Sequence, residues 1–80
     1  MPHIRGTVNH RDGSTASGRR VSGRAAGALG GMVGPTTTDS RGRFVLSWSS
    51  SATTLAQLFV DGNVARTDVR AGEDVSIPLR

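Results

Sequence analysis

The segment Thr38-Asp39-Ser40-Arg41-Gly42-Arg43-Phe44 constrains the fold of this 80-residue chain more than any other. Asp39 can return its carboxylate to backbone N–H groups two residues ahead, and Gly42 can take the positive φ that closes a tight turn. Phe44, Leu46 and Trp48 then alternate with Arg43, Val45 and Ser47, the period of a strand with one buried face. The segment predicts a β-hairpin with Asp39 and Gly42 as its turn residues.

Alternation of period two continues along the chain, carried by the β-branched and aromatic residues that suit a pleated surface. Ile4, Gly6 and Val8 share the inner face of a first strand, and Asp12-Gly13 supplies turn chemistry after it. A second strand is predicted over Arg19–Arg24, centred on Val21. Residues Ala25–Gly34 turn to Ala and Gly and are read as a loop rather than as a short irregular strand approaching a neighbour closely, with Pro35–Thr38 leading into the hairpin. Ser49–Thr53 reads as a polar linker, and Leu55–Val60 as a strand ending in a second hairpin turn at Asp61-Gly62-Asn63. That strand is apolar on both faces: Ala56, Leu58 and Val60 make one row, Leu55, Gln57 and Phe59 the other. The chain returns through Val64 and Val69, turns at Ala71-Gly72, and ends on alternating Val75, Ile77 and Leu79. Pro78 cannot donate to a ladder, which places the last strand at an edge or the residue itself on a non-bonding side.

Composition narrows the possible functions. Eighty residues make one domain, 1–80, with a thin core, and Leu, Ile, Val and Phe fill only 17 positions while Gly and Pro fill 14. With no Cys there is neither a disulfide framework nor a thiolate metal site. The stretch Met1-Pro2-His3-Ile4-Arg5 lacks the apolar run of a signal peptide, and no segment approaches the ~20 apolar residues of a membrane span. The expectation is a cytoplasmic protein without a membrane, with export by a signal-independent route left open. Ten Arg and no Lys against six acids give a net charge of +4. An all-Arg complement points to a GC-rich coding genome, and a bacterial source is the accompanying expectation. As a nucleic-acid signal it is weak, because the Arg residues are scattered from Arg5 to Arg80 among only three aromatics.

Taken in order, Ile4-x-Gly6-x-Val8, Asp12-Gly13, Ala16-x-Gly18-x-x-Val21, Thr38-Asp39-x-x-Gly42-x-Phe44, a strand closing at Gly62, Gly72, and Val75-x-Ile77-x-Leu79 resemble the carboxypeptidase regulatory-like domains of the transthyretin-like (prealbumin-like) β-sandwiches. The resemblance covers nearly the whole chain. It implies an all-β, Greek-key β-sandwich of about seven short strands, acting as an accessory, non-catalytic module. It also implies that Ala56, Leu58 and Val60 face inward, leaving Leu55 and Phe59 outward as a contact patch flanked by Arg43 and Arg66. A loop folded over that face is the competing reading. The expected partner is another protein, in a larger assembly, and a homodimer through edge strands is a subsidiary expectation.

Other chemistry fares less well. His10 with Asp12 resembles the N-terminal segment of the 5-hydroxyisourate hydrolases, an enzyme branch on the same broad fold. That family closes on Tyr-Arg-Gly-Ser, whereas this chain has no Tyr and ends Ile77-Pro78-Leu79-Arg80. His3, His10 and Asp12 are too few for a metal site of defined geometry. Asp39-x-x-Gly42 and Asp61-Gly62-Asn63 lack the spaced oxygens of a calcium loop and are explained as turns. Ser49 to Ser51 and the hydroxyls of Thr53 and Thr54 have no base beside them. Trp48 keeps register with Phe44 and Leu46 and reads as core. No catalytic residue, cofactor or metal is expected.

Overall fold

Sequence alternation becomes seven strands in the computed structural model, which describes residues 2–26, 31–48 and 53–79. These are β1 (His3–Asn9), β2 (Arg20–Ala25), β3 (Met32–Thr37), β4 (Arg43–Ser47), β5 (Thr54–Val60), β6 (Asn63–Arg70) and β7 (Asp74–Pro78). No helix occurs among the described residues, so none there is long and apolar enough to cross a membrane. One sheet runs β4-β1-β7 and the other β3-β2-β5-β6. In the first, β1 is antiparallel to β4 and parallel to β7; the second is antiparallel throughout.

The core lies between the sheets. Ile4 and Val8 of β1, Val21 of β2, Phe44 and Leu46 of β4 with Trp48 just beyond, Leu58 and Val60 of β5, Val69 of β6 and Ile77 of β7 are all buried there, joined by Ala16. Each large aliphatic or aromatic side chain removed from water in this way contributes about 1.5–3 kcal/mol. Gly6 is required in the middle of β1. It sits opposite both Phe44 and Val75, and a Cβ there would lie 2.5 Å from the Val75 carbonyl oxygen and 2.8 Å from Cζ of Phe44.

The turn at 39–42 closes as its residues dictate. The Asp39 carboxylate accepts the N–H groups of Arg41 (2.8 Å) and Arg43 (2.9 Å), the Gly42 N–H donates to the Asp39 carbonyl, and Gly42 has φ 72°. It is not, however, the turn of a two-stranded hairpin. Its arms part into different sheets, β3 pairing with β2 and β4 with β1. The cause is Thr38, whose backbone is tied to the start of β2 by bonds from Gly18 N–H and to Arg19 C=O. Its buried hydroxyl donates to the Ala16 carbonyl (2.7 Å) and accepts the Arg19 N–H (2.9 Å). Four residues later, Gly42 already accepts the Val8 N–H (2.7 Å), so the turn is the corner of the sandwich.

Two further expectations are corrected. Much of the predicted loop Ala25–Gly34 is strand: Ala25 ends β2 and Met32 to Gly34 begin β3, while residues 27–30 lie outside the described residues. Periodicity misses β3 because it is an edge strand with a register shift between Val21 and Gly23, where the Gly34-Pro35 pair supplies the extra residue. The Ser49–Thr53 linker also lies outside the described residues except Thr53, whose carbonyl accepts the Ala71 N–H.

The second correction concerns β5. Leu55 is buried, not outward. Leu58 pairs with Gly23 and Gln57 with Arg24, but Ala25 pairs with Leu55, so Ala56 is an extra residue that reverses the phase of the strand. Opposite it on β6, Asp68 has φ 54°, and beyond the irregularity Leu55 meets Val69 across the ladder, both inside.

Asp61 (φ 52°) and Gly62 (φ 85°) form the two-residue turn of the β5–β6 hairpin, both central residues at positive φ. Asp61 also accepts the Arg20 N–H and pairs with the Arg19 guanidinium (3.1 Å), fastening the hairpin to the start of β2.

Two turn carboxylates are held below their ordinary pKa. For Asp39 the cause is the Arg43 N–H and then that of Arg41; for Asp12 it is the Ser14 hydroxyl and then the Ser14 N–H. A lowered folded-state value means that the unfolded chain takes up protons first, so this stabilisation is complete above the unfolded carboxylate range near pH 4 and lost below it. The thermal midpoint is expected to be level from pH 7 to about 5 and to fall with further acidification. Asp39→Asn should flatten part of that fall, and an acid slope equal to wild type would contradict the capping role of the carboxylate.

Candidate binding surfaces

The four residues expected to form one patch lie in four places. Leu55 is sealed in the core, completely removed from solvent. Phe59 is half-buried on the outer face of β5, the side opposite Leu58 and Val60. Arg43 projects from the outer face of the other sheet, beside Thr7 in the ladder and on the same side as Val45, which is 58% exposed. Arg66 belongs to edge strand β6. There a bulge sets Ala65 and Arg66 together against Leu58 and turns both toward the inside, where Ala65 packs on the core. The Arg66 guanidinium reaches across the open side of the sandwich to donate to the Ser76 carbonyl of β7 at 2.7 Å.

Two residues that sequence reasoning did not place on a surface join Phe59. Val64 pairs with Phe59 on β6 and is 53% exposed. Met32, 59% exposed, flanks Arg24, which pairs on its other side with Gln57. The signal for Val64 was present, since a two-residue Asp61-Gly62 turn pairs Val60 with Asn63 and therefore Phe59 with Val64. The outer face of β3-β2-β5-β6 thus carries Met32, Phe59 and Val64 among Arg20, Arg24, Ser22 and Gln57. Arg24 is flanked in the ladder by Met32 and Gln57, whereas Arg20 has Thr37 on one side and is bonded through its backbone to Asp61 on the other.

A separate cleft of about 1220 Å³ opens along the side where β6 and β7 approach. Val60, Ala65, Ile77 and Leu79 give it apolar walls, and His10, Arg11, Asp12, Asp61 and Arg66 stand around it. Of its acids, Asp61 is engaged by Arg19 and Asp12 by Ser14.

No family model, curated protein or solved structure matches the chain. His3 and His10 stand at opposite ends of β1, about 20 Å apart at the rise of a strand, which separates them too far to share one ion. His10 sits in a tight loop, its N–H donating to Ser14 C=O and its own carbonyl accepting from Gly13. The Arg side chains divide between the layers, with Arg5 and Arg43 on the outer positions of one sheet and Arg20 and Arg24 on those of the other.

Proposed function

We propose that the chain is a non-enzymatic β-sandwich module of the transthyretin-like, carboxypeptidase regulatory-like type, which binds a protein partner as an accessory part of a larger assembly. Seven strands in two sheets over a common core support the Greek-key, transthyretin-like reading, since that is the strand number the resemblance implies. The observation that carries the functional reading is the outer face of β3-β2-β5-β6: Met32, Phe59 and Val64 are exposed or half-exposed on that one face, with Met32 beside Arg24 and Phe59 beside Ser22, which lies between Arg20 and Arg24 on β2. An aromatic anchor with aliphatic neighbours and an Arg rim is the composition of a protein interface. Its cationic rim selects a partner with acidic groups around an apolar centre and speeds their encounter.

The test is affinity capture from native lysate with the wild-type chain and with a Phe59→Glu, Val64→Glu double variant, both outward positions at which the fold persists. A protein retained by the wild type, cross-linked to residues of β2, β5 and β6, and lost in the variant is the expected result. Equal capture by both, with cross-links elsewhere, would reject this face as the interface.

A further inference from the structure

The two sheets differ in width, and the missing strand is on the β7 side. Among the described residues the broader sheet has four strands and the narrower three; β3 lies beside β4, leaving β6 with no described strand opposite it beyond β7. The cleft occupies that place. β7 pairs with β1 through alternate residues: Arg5 N–H donates to Glu73 C=O and Leu79 N–H to Asn9 C=O, which directs the backbone groups of Asp74 and Ser76 to the open edge. One of these groups is already occupied, the Ser76 carbonyl by the Arg66 guanidinium, held there by the bulge at Ala65. An exposed edge invites pairing, and an inward-turned charge with a Pro is the way such edges are guarded. Pro78, at the end of β7, supplies the second device.

We propose that the β7 edge is a strand-addition site, latched by Arg66, for an extended peptide carrying an acidic side chain. Such a peptide would pair with Asp74 and Ser76, lay alternate side chains on the Val60, Ala65, Ile77 and Leu79 walls of the cleft, and draw the Arg66 guanidinium from the Ser76 carbonyl to its own carboxylate. Charge complementarity selects an acidic segment: Arg11 and Arg66 border the cleft, its acids Asp12 and Asp61 are bonded within the chain, and Asp74 on β7 alternates with the core-packed Val75 and so faces the outer side of its sheet, away from the cleft. The site adjoins the outer face bearing Phe59 at Val64, which borders both, but its backbone contacts lie on β7.

The test titrates the isotopically labelled full chain with the peptide Thr-Val-Glu-Val-Thr-Val and its Gln analogue, following amide shifts and hydrogen exchange. The expected result is saturable binding with a dissociation constant below about 1 mM, shifts and slowed exchange at Asp74 and Ser76, and binding of the Gln analogue about fivefold weaker. In Arg66→Gln, whose shift dispersion verifies the fold, the two peptides should bind equally. Absence of shifts at millimolar peptide, shifts confined to β3, β4 or the outer face, or equal affinities for the two peptides in the wild type would overturn the proposal. So would β7 shifts that track protein concentration without peptide, which would assign the edge to a second copy of the chain.

Discussion

Leu55→Asp is expected to abolish the folded state, whereas Phe59→Asp on the same strand leaves it intact. Leu55 is fully buried against Val69 and the other core side chains, so truncating it to Ala alone would cost about 2–5 kcal/mol. A carboxylate in its place adds the cost of an unpaired buried charge, and a domain of this length has only roughly 4–12 kcal/mol of stability to lose. Phe59 projects to the outer face between Ser22 and Val64, where a charge stays hydrated. Circular dichroism with thermal unfolding separates the two variants. A cooperative, near-native transition in Leu55→Asp would contradict the phase reversal at Ala56.

Gly42→Ala is expected to cost at least about 3 kcal/mol, and Gly62→Ala only about 1–2 kcal/mol. Both glycines hold positive φ, 72° and 85°, so both substitutions carry the left-handed penalty of an L side chain. They differ in their surroundings. A Cβ at Gly42 would stand 2.5 Å from the Val8 carbonyl oxygen and 3.1 Å from the Ala16 nitrogen, whereas nothing lies within 4 Å of one at Gly62. Those neighbours are backbone: Val8 C=O accepts the Ala16 N–H and Val8 N–H donates to Gly42 C=O. Relieving the contact would break the corner where the chain changes sheets. Urea unfolding of the two variants gives the comparison, and equal losses would mean that strain at the glycine, not contact with β1, sets the cost.

The sequence disclosed the fold wherever a strand keeps one buried face without interruption. β1 and β4 are such strands, since Ile4, Gly6 and Val8, then Phe44, Leu46 and Trp48, alternate without an extra residue. β7 lies at an edge, one of the two placements that Pro78 allowed. What period two cannot show is an inserted residue. Ala56 in β5 reverses the direction of Leu55, Ala65 in β6 turns Arg66 inward, and the Gly34-Pro35 pair lets β3 exist with almost no alternating apolar residues. The Asp39 turn was legible as a turn because its hydrogen bonds are local. Which sheets its arms join depends on Thr38 contacting Ala16 and Arg19, some 20 residues away. Of the surface residues, Phe59 is readable from alternation and Val64 from hairpin register, but sequence does not distinguish the outer faces of two layers, so it places Arg43 beside Leu55 and Phe59 although Arg43 lies on the other sheet.

The most direct measurement is a set of cross-strand nuclear Overhauser contacts on the full chain. The arrangement described requires parallel contacts between β1 and β7, with Thr7 beside Ser76 and Val8 beside Ile77, together with antiparallel contacts of Ile4 with Leu46 across β1 and β4. A continuous antiparallel ladder between residues 32–38 and 43–48, the mark of an ordinary hairpin at Asp39, would contradict it.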